Sequence, residues 1–182
     1  MPATLDDLLR VKGKAELVGG RIVNMMPTGD LPGEVALNIA SLLKDYIRAS
    51  RRGHARGDSV GYAVPGLMSG RQSFAPDASY YEGPLPENRM RFIQGPPRFA
   101  AEVRSENDYG TLAEFEMQTK RADYFEAGTL VVWDVDPLAK RILCYRHSSP
   151  DNPAAFASGQ IADAEPAVPG WRVAVHEVFE TL

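Results

Sequence analysis

The chain has 182 residues, 20 Lys plus Arg against 24 Asp plus Glu, a formal net charge of −4 and one cysteine. That length fits one domain, and 44% apolar with 24% charged residues excludes wholesale disorder. One cysteine excludes an internal disulfide or a cysteine-rich zinc cluster, and mild acidity argues against coating nucleic acid through bulk positive charge.

No window approaches ~18 consecutive apolar residues, so no membrane span is expected. The first residues lack a charged segment followed by a long apolar run, so no secretory signal is read and a cytoplasmic setting is expected.

Residues 4–11 place Leu5, Leu8 and Leu9 at helical spacing behind Thr4, a natural N-cap ahead of Asp6 and Asp7. Strand-like runs at 15–18 and 21–25 flank Gly19-Gly20, the pattern of a tight β-hairpin. After a turn-rich break at 27–33, Val35, Ile39, Leu42, Leu43, Tyr46 and Ile47 predict a helix over about 34–50. Arg48, Arg51 and Arg52 suit its C-terminal dipole, and Gly53 stops it. A strand over 59–68 alternates Val60, Tyr62 and Val64 before an edge or bulge at Pro65-Gly66. A short strand follows at 73–81 with Pro76-Asp77 inside it, then a loop at 82–97, then a compact strand at 98–105 bearing Glu102.

A second helix is expected over about 112–127, stopped by Gly128. Leu112, Phe115, Thr119 and Ala122 form its expected core stripe, with Ala113, Met117, Lys120 and Tyr124 close to the opposite side. Residues 130–135 are apolar enough for a central strand covered on both faces, and Asp136-Pro137 turns them into a partner at 140–146. The tail reads as rich in Pro, Ala and Gly until 171–175, with a short helical end at 177–181. This order makes a single α/β (α+β) domain over 1–182, its core at about 14–147 and a C-terminal extension at 148–182.

Chemistry can sit at Pro76-Asp77, Glu102-Val103-Arg104 and Lys120. Hard divalent cations take oxygen ligands, and phosphodiester hydrolysis gains from a cation beside the attacking water. Two carboxylates on neighbouring strand ends with one lysine would meet both needs. Each residue also has a plainer reading. Asp77 suits a turn or strand edge capping backbone amides. Glu102 suits the solvated face of an alternating strand with Ala101 and Val103 inward. Lys120 suits an i,i+4 pair with Glu116, or an outward reach to water.

His54, His147 and His176 lack the spacing of a helical zinc motif, and Cys144 has no evident His–Asn partners. Asp134 and Asp136 read as a strand end and a turn rather than a metal pair. Arg48, Arg51, Arg52 and Arg56 cluster closely enough to neutralise phosphates, as do Arg89, Arg91 and Arg98; each cluster reads equally as a solvated terminus or loop.

Several short motifs occur in order across residues 14–180. They are Ala15-Glu16-Leu17-Val18-Gly19-Gly20-Arg21-Ile22-Val23, Pro76-Asp77-Ala78-Ser79, Glu102-Val103-Arg104-Ser105, Lys120 with Tyr124 and Gly128, and residues 131–137. In them the chain resembles the Uma-type family of restriction-endonuclease-like proteins, a branch of the PD-(D/E)xK nuclease superfamily. The resemblance implies a restriction endonuclease-like core, a mixed β-sheet flanked by helices. It implies an endodeoxyribonuclease that hydrolyses DNA with Mg²⁺ or Mn²⁺.

By the same resemblance Asp77 and Glu102 are metal ligands, the backbone carbonyl of Val103 a further ligand, and Lys120 the catalytic lysine. The superfamily's usual lysine position, two residues after the second acid, is Arg104 here. Glu34 stands where a further metal-binding acid often occurs, and reads also as a first-turn acid favoured by the helix dipole. A homodimer is compatible with the resemblance, since many such nucleases cut two strands with two subunits. The rival expectation is a catalytically inactive nuclease-fold protein serving interaction or regulation, in keeping with the acidic balance and Arg104.

Overall fold

A computed structural model describes residues 1–181. The opening helix α1 (Leu5–Leu8) carries the expected cap: Asp7 N donates to Thr4 Oγ1 at 3.2 Å, and Thr4 N donates to Asp7 Oδ2 at 2.9 Å. β1 (Ala15–Val18) and β2 (Arg21–Asn24) form the hairpin. Gly19 and Gly20, at φ 56° and 69°, supply the left-handed turn that matches the twist of its strands. Helix α2 (Asp30–Ser50) begins ahead of its apolar repeat, because Pro32 falls in the first turn, where a missing N–H costs nothing.

The central sheet has six strands, β3 (His54–Arg56), β6 (Ala78–Tyr81), β8 (Phe99–Val103), β9 (Val131–Asp136), β10 (Arg141–Arg146) and β11 (Ser149–Ala157). Their spatial order is β11-β10-β9-β8-β6-β3. Within this sheet, among the described residues, β8 and β9 are the one parallel pair, and helix α3 (Thr111–Ala127) makes the crossover between them. The expected strand at 59–68 shortens to β4 (Tyr62–Ala63), which pairs with β5 (Ser73–Phe74) and β7 (Ile93–Gln94) in a small sheet. β12 (Ile161–Asp163), β13 (Arg172–Ala174) and helix α4 (Val175–Val178) complete the described residues. No helix among the described residues is long and apolar enough to cross a membrane.

Both faces of the central pair β8–β9 are covered, as the apolar run of β9 predicts. Phe99, Ala101, Val103, Trp133 and Val135 pack with Val35, Ile39 and Leu43 of α2. Ala100 and Val132 pack on the opposite face with Tyr124, Phe125 and Phe74.

Two expectations are corrected. Of the stretch 148–182 read as an extension, residues 148–181 supply the edge strand β11 and core residues such as Val168, Trp171 and Val178, and Leu182 lies outside the described residues. Trp171 stacks on Trp133 with ring centroids 5.0 Å apart. β11 escapes a sequence reading because it contains Pro150 and Pro153, which an edge strand tolerates. The apolar stripe of α3 is also turned outward: Leu112 is 71% and Phe115 65% exposed, while Asp123, Tyr124 and Phe125 are buried. Beneath α3 the sheet becomes polar at its end, where the β8–β9 register sets Glu102 beside Asp134. The helix therefore turns its hydrogen-bonding face inward.

Candidate active site

Antiparallel register between β6 and β8 pairs Ala78 with Ala101, which carries Asp77 opposite Glu102. Asp77 is stitched to β8 at both ends of the residue. Its N–H donates to the Ala101 carbonyl at 3.1 Å, and its Oδ2 accepts from Val103 N at 2.8 Å. The amide-capping reading of Asp77 thus holds for one oxygen. The other oxygen, Oδ1, lies 2.6 Å from Lys14 Nζ.

Glu102 meets two side chains one helical turn apart on α3. Its Oε2 accepts from Lys120 Nζ at 2.9 Å and its Oε1 from the Tyr124 hydroxyl at 2.6 Å. Lys120 therefore turns inward instead of pairing with Glu116. Its amine also lies 3.1 Å from Oε1 of Glu16, a residue of β1 that is only 2% exposed. Glu16 accepts from Ala75 N at 2.9 Å and pairs with Arg71, whose Nε donates to Asp123 Oδ2 at 2.7 Å. The sheet, the hairpin and α3 all contribute to one charged cluster.

Electrostatics in the cluster follow from burial set against neighbouring charge. Burial raises the Glu102 pKa, and the charges of Asp77 and Glu16 add to it against the pull of Lys120. Burial works against the Glu16 carboxylate too, but Lys120 and Arg71 outweigh it and hold that pKa low. Burial disfavours both ammonium groups, yet Glu102 and Glu16 raise the pKa of Lys120, and Asp77 and Glu102 raise that of Lys14. Tyr124 is kept a neutral phenol by burial and by the nearby Glu102 charge.

Five carboxylates (Asp58, Asp77, Glu16, Glu102 and Asp123) face three cations (Lys14, Lys120 and Arg71), a formal excess of two negative charges. Oxygen donors with that excess charge suit a hard dication such as Mg²⁺. Among the described residues no three His, Cys, Asp or Glu side chains converge in ligating geometry. An ion here would be held by Asp77 and Glu102 with water completing its shell, which Mg²⁺ readily accepts. A cavity of about 140 Å³ opens beside Asp77 and Val103, walled by Asp58 and by Gly33, Ala36 and Ala40 on the α2 side.

Residues 3–176 match a family model described as "Uma2: Putative restriction endonuclease". The chain belongs to the Uma2 family. This Uma2 chain is also similar to a solved structure from Anabaena variabilis described as "a putative nuclease belonging to DUF820", with a TM-score of 0.74. That likeness covers 98% of each chain at 18% identity, which shows a shared fold. No curated protein matches the Uma2 chain.

The other residues singled out in the Uma2 sequence stand elsewhere. Arg104 grips buried Asp134 through two bonds, Nε to Oδ1 at 2.8 Å and Nη2 to Oδ2 at 2.9 Å, and pairs with Glu114. Its guanidinium is thereby committed to joining β8, β9 and α3. Asp136 accepts from Leu138 N and Ala139 N, the turn role expected of it. Glu34 is not brought to the cluster: its Oε2 accepts from the Thr181 hydroxyl at 3.2 Å, and α2 presents Gly33, Ala36 and Ala40 to the cavity instead. In the arginine patch, Arg48 pairs with Asp45 at 2.7 Å, Arg52 lies 3.5 Å from Glu82, and Arg56 donates to the Ala55 carbonyl. Arg51 is exposed at the α2 C-cap.

Sequence reasoning missed Lys14, Glu16, Arg71 and Asp123 as members of the cluster. One signal was available for the first two. Lys14 and Glu16 alternate within a hairpin whose other residues are mostly apolar, so strand periodicity sends both to one side.

Proposed function

We propose that this Uma2 protein is a metal-dependent endonuclease that hydrolyses phosphodiester bonds of DNA with Mg²⁺ or Mn²⁺. The observation that carries the reading is the convergence of Asp77 and Glu102 on adjacent strands with Lys120 Nζ 2.9 Å from Glu102. Asp77, Glu102 and the carbonyl side of Val103 would hold the ion, which supplies Lewis acidity at phosphorus and a lowered pKa for bound water. Lys120 remains an ammonium and so acts as a donor that orients the attacking water and stabilises charge growing on phosphate, rather than as a base. Glu102 and Glu16 hold that amine from two sides. Tyr124 fixes the carboxylate that Lys120 leans on. Arg48, Arg51, Arg52 and Arg56 are the proposed contacts to the DNA backbone.

Cleavage of plasmid DNA with Mg²⁺ or Mn²⁺ tests the reading against Asp77→Asn and Lys120→Met. Both variants should remain folded, with Lys120→Met losing about 100-fold or more in rate, the scale of removing one transition-state donor. A folded wild-type protein inert with both metals would reject the reading. It would favour instead an inert nuclease-fold interaction protein, which the seat of Lys14 on Asp77 also suits.

A further inference from the structure

Lys14 continues the hairpin one residue ahead of β1, since its carbonyl accepts from Met25 N at 2.9 Å. It stands two residues from Glu16, so both side chains leave the strand on one side. Glu16 reaches Lys120, and Lys14 reaches the other half of the cluster. Its Nζ lies 2.6 Å from Asp77 Oδ1 and 2.6 Å from Asp58 Oδ1, and its side chain is only 16% exposed. The second oxygen of Asp77 is taken by the Val103 amide. Every oxygen of Asp77 is therefore engaged, and the one not spent on backbone carries an ammonium tethered to the hairpin.

A dication and an ammonium cannot share one carboxylate oxygen without strong repulsion at this separation. Asp58 offers a way out. It is 48% exposed in its side chain and holds the same ammonium at the same distance, so Lys14 keeps an anionic partner after leaving Asp77. The cavity beside Asp58, Asp77 and Val103 leaves room for the exchange.

We propose that Lys14 is a tethered counter-cation that competes with a divalent ion for Asp77 and thereby sets the metal affinity of the site. This rests on the metal-dependent reading above. Lys14 balances Asp77 when no ion is bound, and it shifts onto Asp58 when one is.

Calorimetric titration of Mn²⁺ into the full chain tests this without any activity measurement. Lys14→Met should bind Mn²⁺ about tenfold more tightly than wild type, since one positive charge beside the ion is gone. Lys14→Arg keeps the charge and should stay within about threefold of wild type. Asp77→Asn should abolish binding. Metal-free melting curves identify folded variants, and Lys14→Gln replaces Lys14→Met if the latter does not fold. Equal or weaker Mn²⁺ binding by the charge-removed variant, with wild-type binding intact, overturns the proposal and leaves the metal-dependent reading standing. No binding by either protein rejects that reading, and the proposal with it.

Discussion

Arg71→Met is the sharpest perturbation of the framework that holds the cluster. Arg71 is 9% exposed and joins Glu16 of the hairpin, 2% exposed, to Asp123 of α3, 4% exposed. Removing the guanidinium leaves the two carboxylates unequally placed. Glu16 keeps the Lys120 amine at 3.1 Å and the Ala75 amide at 2.9 Å. Asp123 loses the Nε donor at 2.7 Å and is left buried and charged. Breaking a buried pair from one side costs about 3–5 kcal/mol, against a total stability of about 5–15 kcal/mol for a domain. The variant should therefore fold but melt roughly 10 °C lower. Urea unfolding followed by tryptophan fluorescence suits the measurement, because Trp133 and Trp171 stack in the core. Adding Asp123→Leu should restore most of the loss, since apolar replacement of both partners is often neutral. A loss below about 1 kcal/mol in Arg71→Met would refute the clamp, because the carboxylates would then have found water or other partners.

Two further outcomes are expected. Arg104→Lys should lose about 2–4 kcal/mol of stability, because lysine cannot reproduce the two-point grip on buried Asp134, yet Mn²⁺ affinity should stay at the wild-type value; a changed affinity in calorimetry would place Arg104 in the site. Burial pushes the Cys144 thiol from 9.0 up to about 11, so the folded chain keeps its proton where the unfolded chain loses it. Stability from this group is full below pH 9.0 and falls as pH rises towards about 11, by about 3 kcal/mol in all. Urea unfolding at pH 8 and at pH 11 should show a smaller drop in Cys144→Ala than in wild type, and equal drops would refute the assignment.

What could be read from the sequence depended on whether a residue's partners were near it in the chain. The α1 cap, the glycine hairpin, α2 and the apolar strand β9 declare themselves through local spacing, and each lies where that spacing puts it. Asp77, Glu102 and Lys120 came from ordered short motifs, and the structure brings all three together. β11 stayed hidden because its prolines deny it strand character that only an edge position excuses. Lys14, Glu16, Arg71 and Asp123 stayed hidden because each one's meaning is a partner more than 50 positions away, as with Lys14 and Asp77 at a separation of 63.

Helix α3 shows why periodicity alone chose the wrong face. An apolar stripe says which side of a helix would gain from burial against an apolar wall. The wall under α3 carries Glu102, and Glu16 and Arg71 arrive on the hairpin side, so the favourable face is the one bearing Lys120, Asp123 and Tyr124. Turning Leu112 and Phe115 inward would carry Lys120, Asp123 and Tyr124 outward and leave Glu102, Glu16 and Arg71 each short of a buried partner, a penalty of about 1–3 kcal/mol each and more where the group is charged. Leaving two apolar side chains in water costs about 1.5–3 kcal/mol apiece. Glu102 would lose Lys120 and Tyr124, Glu16 would lose Lys120, and buried Arg71 would lose Asp123; charged groups carry the upper end of that penalty, so charge satisfaction outweighs the apolar gain. The inward face of α3 is set by the cluster: the helix turns its apolar residues outward so that Lys120 is held between Glu102 and Glu16.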